Sequence, residues 1–236
     1  VALRGGNLFA KVGSICGLIG TLLPAALLIV LGIVWLCAGE PTHTSLHASA
    51  LLPPWTGISS IVLIVSNVLA YAGMEVNAVH ANDMKDPGRE FPRATVLSTV
   101  LILLVLVLPT LSIAFAVPHR ELGLIDGINL AFKEFFDHFG MDWGVPVISL
   151  LIALGAFSSV ITWIAGPSRG LLAAARTGLM PPMLQKRNAA GVQEGILLAQ
   201  GVIVTILALL FVLIPNGNTA FATLVDMATA LYLMMY

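Results

Sequence analysis

Long uncharged apolar blocks separated by short polar connections organise this chain. Residues 18–38 (LIGTLLPAALLIVLGIVWLCA), 96–117 (VLSTVLILLVLVLPTLSIAFAV) and 195–214 (GILLAQGVIVTILALLFVLI) each approach the ~20 residues that carry a helix across ~30 Å of hydrocarbon. The strict alternation of a barrel strand is absent, so each segment must satisfy its own backbone N–H and C=O groups, which requires helices. The predicted spans are 9–38, 57–81, 93–117, 145–175, 193–214 and 219–236. A shorter pattern, Ile128, Phe132, Phe135, Phe136 and Phe139, repeats at helical spacing. It predicts an amphipathic helix over about 127–139 that lies on or dips into the outer face, as a surface helix or as a cover over an external vestibule.

Composition agrees with the pattern: 58% of the residues are hydrophobic and 10% charged, with a mean hydropathy of +0.98. The expected fold class is all-α, a polytopic transmembrane helical bundle. Lys and Arg gather in alternate connections. Arg4 precedes the first span, Lys85, Arg89 and Arg93 follow the second, and Arg169, Arg176, Lys186 and Arg187 crowd the end of the fourth. The other connections carry Arg120 and Lys133 against Glu40, Glu121, Asp126, Glu134, Asp137 and Asp142, so the first set is expected on the cytoplasmic side. The chain starts at Val1 and ends inside an apolar run, and a piece of a longer membrane protein is expected. A net charge of -1 gives no electrostatic case for a nucleic-acid partner. Cys16 and Cys37 lie in one apolar block, where free thiols act as small hydrophobes.

An ionisable residue at mid-membrane costs at least ~2.5 kcal/mol, so each one there is a functional candidate. Glu75 is the clearest, past the middle of the run 58–81 with Gly73 two residues before it. Glycine there lets the chain leave helical geometry and free backbone groups for a polar cavity. Two half-helix ends then face a ligand, N–H groups for a carboxylate and carbonyls for an ammonium. The alternative is that Glu75 bonds a neighbouring helix and Gly73 only lets helices approach. Lys11 either snorkels to the inner surface or points inward as a proton-carrying amine. In the fourth span Gly155, Ser159, Thr162, Trp163 and Gly166 share one helical stripe. Small residues there mean close packing, and Trp163 is either part of that packing or a wall against a ligand. Asp226 stands in the last apolar stretch, and His80 near the inner end of its span reads as interfacial. The motifs of zinc hydrolases, nucleophile elbows, P-loops and dinucleotide folds are absent, so neither an enzyme nor a metal or other cofactor is expected.

The segment 71–95 (YAGMEVNAVHANDMKDPGREFPRAT), with 163–182 (WIAGPSRGLLAAARTGLMPP) downstream, resembles the glutamate/γ-aminobutyrate antiporters of the amino acid, polyamine and organocation transporter superfamily. The G-x-E turn with its D-P-G-R-E-F-P continuation and the W-I-x-G-P-S-R-G block carry the likeness, which runs over nearly the whole of residues 1–236, from about the fifth transmembrane helix to the start of the tenth. The resemblance implies two inverted five-helix repeats, with an amino acid bound at mid-membrane beside a helix broken near residues 71–75. It implies substrate contacts from Tyr71, Ala72, Gly73, Met74, Glu75 and Trp163, and proton coupling through Glu75 and Lys11. Arg89 and Asp83 would serve the inner-surface loop between two helices. The expected activity is exchange of glutamate, or a related amino acid, for its decarboxylation product by proton-linked alternating access. An exchanger or proton-coupled symporter of another amino acid or amine, or a non-transporting membrane subunit, are the alternatives. Asp226 departs from the uncharged tenth helix of the glutamate exchangers.

Overall fold

The computed structural model describes residues 6–44, 47, 55–73, 78, 84–118, 122–123, 125–179, 181–186 and 193–235. Helices are the regular elements among them: α1 (Gly6–Gly17), α2 (Leu23–Cys37), α3 (Ile58–Tyr71), α4 (Pro87–Ala116), α5 (Gly127–His138), α6 (Gly144–Ala174), α7 (Glu194–Leu213) and α8 (Gly217–Met235). A five-residue π-helical turn, Leu18–Leu22, joins α1 to α2 without interrupting the rod. Four stretches among the described residues are long and apolar enough to cross a membrane: Lys11–Cys37, Pro87–Ala116, Gly144–Ala174 and Glu194–Leu213. Apolar side chains such as Leu97, Leu150 and Val212 stand open on these helices, as expected where hydrocarbon is the solvent.

The starts and stops follow local chemistry. Asp86 precedes Pro87, and its carbonyl accepts from the N–H groups of Arg89 (3.2 Å) and Glu90 (2.9 Å). Proline at the first helical position lacks a donor that would have gone unused there. The helix therefore begins six residues before the predicted span at 93, and Arg89 belongs to its first turn rather than to a loop. In the second predicted span, 57–81, the α-helix ends at Tyr71.

The chain divides into two units. The first comprises Val1–Pro24, Val76–Phe91 and Leu150–Leu213. Here α1 and α6 pack through glycines. A Cβ on Gly13 would stand 2.9 Å from Ile161 Cγ2, and one on Gly17 2.8 Å from Ser158 Oγ. At Gly20 a Cβ would collide with the backbone of Gly155, and at Gly155 with the backbone of Gly20. The order 13, 17, 20 against 161, 158, 155 is an antiparallel register, and Ser158 Oγ secures it by donating to the Gly13 carbonyl at 2.7 Å. Small residues at this spacing let two backbones meet inside a membrane. The packing row on α6 is thus Gly155, Ser158 and Ile161. From the predicted stripe Gly155 and Gly166 are buried, while Ser159, Thr162 and Trp163 are exposed.

The second unit comprises Ala25–Glu75, Pro92–Ser149 and Ile214–Tyr236. Its centre is aromatic. Ala131, Phe132, Phe135 and Phe136 of α5 are buried, whereas Ile128 of the predicted face is exposed. The Trp35 indole meets Phe135 edge-on at 5.5 Å, His138 at 4.6 Å and Phe139 at 6.4 Å. Its Nε1–H donates to the Pro41 carbonyl at 3.2 Å, and His138 Nε2 lies 3.2 Å from Glu40 Oε1. The α5 helix is therefore clamped to the end of α2 by rings and polar contacts. Elsewhere in this unit Gly32 admits Ser112 of α4, and α3 packs along α8.

Candidate functional site

The run containing Glu75 leaves helical geometry where its glycine stands. Tyr71 is the last residue of α3, Ala72 and Gly73 are not helical, and Gly73 has φ +101°. That region favours glycine, because a Cβ would crowd the neighbouring carbonyl. A helix that ends inside a membrane must find partners for its last carbonyls in its own cap, in neighbouring protein or in a polar cavity. Tyr71 is exposed, and Ala72 and Gly73 are half-buried. Met74 and Glu75 lie outside the described residues, as do His80 and Asp83.

Trp163, Lys11 and Arg89 belong to the first unit, and Tyr71, Ala72 and Gly73 to the second. Trp163 leaves 42% of its surface open. Pro167 lies four residues on, inside the same helix. The Gln200 Nε2 amide of α7 donates to the Trp163 carbonyl at 3.4 Å. Lys11 is exposed where the first apolar stretch begins, and Arg89 is exposed in the first turn of α4. Asp226 is exposed on α8. Cys16 and Cys37 are free thiols. No trio of His, Cys, Asp or Glu gathers as a metal site among the described residues.

Three features were missed by the sequence reading. The Gly13, Gly17 and Gly20 row is a small-residue stripe with a legible spacing. The Gln193 and Gln200 pair, two polar residues a heptad apart at one edge of an apolar block, was legible too. An acid pair, Asp137 with Asp142 between α5 and α6, is not visible in spacing. A shared side-chain hydrogen bond with Asp137 holds the Asp142 carboxyl above its ordinary range, helped by partial desolvation and the Asp137 charge, with Lys133 opposing.

Four helices among the described residues, each long and apolar enough to cross a membrane, define a polytopic helical membrane protein. The amino acid permease family model matches residues 1–236, and the chain belongs to that family. It is an integral, multi-pass protein of the bacterial plasma membrane, in a family of transporters rather than enzymes. It is 38% identical over 218 residues to an uncharacterized transporter of Legionella pneumophila, covering 92% of this chain and 47% of that protein. It is 32% identical over 219 residues to a glutamate/gamma-aminobutyrate antiporter of Lactococcus lactis, covering 92% of this chain and 44% of the relative. A probable agmatine/putrescine antiporter of Lactococcus lactis is 26% identical over 204 residues, 85% of this chain and 42% of the relative. The chain spans a little under half the length of these relatives.

Proposed function

We propose that this chain is the central part of an amino acid antiporter that exchanges glutamate, or a closely related amino acid, for its decarboxylation product by alternating access. The observation that carries the reading is the end of α3 at Tyr71, with Gly73 at φ +101°. In a membrane such an end is tolerated only beside protein or a polar cavity, and a zwitterion supplies both kinds of hydrogen-bonding group. Similarity to the antiporter named for glutamate and gamma-aminobutyrate supports the choice of substrate.

On this reading the substrate docks on backbone groups from Tyr71 to Glu75 with its side chain toward Trp163, within two inverted five-helix repeats that the whole protein completes. Protonation of Glu75 favours one access state, and a ligand shifts that balance by its differential affinity for the two. Lys11 is the second proton-linked group, and Arg89 and Asp83 act at the inner surface. The test uses the full-length protein in proteoliposomes. Glu75→Gln should flatten the pH profile of glutamate counterflow, and an unchanged rate and profile would remove Glu75 from the coupling. Trp163→Ala should weaken half-saturation by glutamate, and an unaltered value would return the indole to packing.

A second reading is exchange of a cationic amine. Asp226, an acid on the apolar helix α8, favours it, as does similarity to the probable agmatine/putrescine antiporter. A substrate screen separates the two, because glutamate and agmatine would compete for counterflow with opposite rank.

A further inference from the structure

We propose that Gln193, just before α7, and Gln200 within it hold α6 on either side of Pro167 and set the position of Trp163, which makes Gln200 a positioning residue for the substrate's aromatic wall. The inference rests on the reading of Trp163 as that wall.

Proline has no N–H, so Pro167 cannot give the helical hydrogen bond that the carbonyl four residues earlier would receive, and its ring presses on that same carbonyl. That carbonyl belongs to Trp163. A proline is tolerated inside a membrane helix when something else satisfies the released group. Here the Gln200 Nε2 amide reaches the Trp163 carbonyl at 3.4 Å from the neighbouring helix. The amide orientation follows from chemistry, because its oxygen turned to a carbonyl would repel it.

On the other side of the proline, Gln193 Nε2 donates to Ser168 Oγ at 2.9 Å, and Ser168 Oγ donates to the Ala165 carbonyl at 3.0 Å. Ser168 is 1% exposed and Gln193 8%, so this bond is closed to solvent. Gln193, which precedes the first residue of α7, and Gln200 are seven residues apart, with Ile196 buried between them. The pairing of 193 with 168 and of 200 with 163 is an antiparallel register. The α7 segment thus holds α6 in a bracket, four residues before and one residue after the proline that interrupts its ladder. Gln200 Oε1 is buried without a hydrogen-bond partner among the described residues. The site therefore retains an amide although only its nitrogen end is matched.

Trp163 leaves part of its surface open, while its carbonyl accepts from Gln200 Nε2. Loss of that amide removes an interhelical hydrogen bond from the backbone under the indole.

The test is a double-mutant cycle in the full-length protein, with Gln200→Met, which keeps length and volume, and Pro167→Ala, which returns an N–H able to bond the Trp163 carbonyl. In the native background Gln200→Met should raise half-saturation for glutamate counterflow about threefold, the scale of one interhelical hydrogen bond in a membrane, with the maximal rate retained. In the Pro167→Ala background the same replacement should have no further effect. An equal effect in both backgrounds would overturn the bracket. So would no effect of Gln200→Met where Trp163→Ala weakens binding. Thermal melting of the four proteins without substrate reads the bond by itself. Coupling in melting while Trp163→Ala leaves half-saturation unchanged would uphold the bracket and remove the binding role, whereas additive melting shifts would remove the bracket.

Discussion

Gly73 and Gly155 are two of the positions where a single hydrogen atom in place of a methyl decides the backbone. At Gly73 the φ of +101° is costly for any L-residue, so Gly73→Ala should destabilise the protein by roughly 1–2 kcal/mol. At Gly155 an added Cβ meets the Gly20 backbone rather than a side chain that can turn away. Gly155→Ala should therefore cost roughly 1–3 kcal/mol as an overpacked contact, read as a lower melting temperature in detergent. Gly201 has nothing near an added Cβ among the described residues, so Gly201→Ala is the control that should leave melting unchanged or slightly raised. Asp142 makes a pH prediction. Its carboxyl is held above the ordinary value of 3.8, so the folded protein binds that proton more tightly than the unfolded chain. The resulting stability is fully present below the ordinary value and is lost as pH rises through the raised one. Asp142→Asn should therefore flatten the acid side of the melting-versus-pH curve. A curve that keeps the native slope would show that the Asp137 pair does not set it.

Among the elements, α5 shows what local pattern can and cannot tell. The spacing of its phenylalanines predicted a helix with an apolar face, and Gly127–His138 is helical with Phe132, Phe135 and Phe136 buried. Its partner, Trp35 at the end of α2, lies about a hundred residues earlier and no periodicity points to it. The rim differed as well, since Ile128 is exposed and Ala131 is buried instead. Trp35→Ala should release α5 at a cost of roughly 3–5 kcal/mol. Faster hydrogen exchange over residues 127–138 would report it, and protection equal to the native protein would show that α5 is held by other contacts. A related ambiguity governs α6. Two rows leave Gly155 at helical spacing, one through Ser159 and one through Ser158, about 100° apart. The sequence contains both, and only the glycines of α1 decide for Ser158. The start of α4 was misplaced for a different reason: charged residues at 86–90 argue against a span but not against a helix that begins before the membrane does.

At the scale of the molecule, long uncharged apolar runs made an all-α membrane protein legible, because each must close its own backbone hydrogen bonds in hydrocarbon. The candidate site was legible only in outline. A glycine two residues before an acid in an apolar run marks where a helix can open, and Tyr71 does end α3. Neither which helix faces that opening nor which solute fills it follows from local pattern, since both depend on residues far apart in the chain. The central claim is obligate exchange of an amino acid. Labelled glutamate should enter proteoliposomes of the full-length protein when they are loaded with glutamate or γ-aminobutyrate, and should stay outside empty ones. Equal entry into loaded and empty vesicles, or no entry into either, would contradict it.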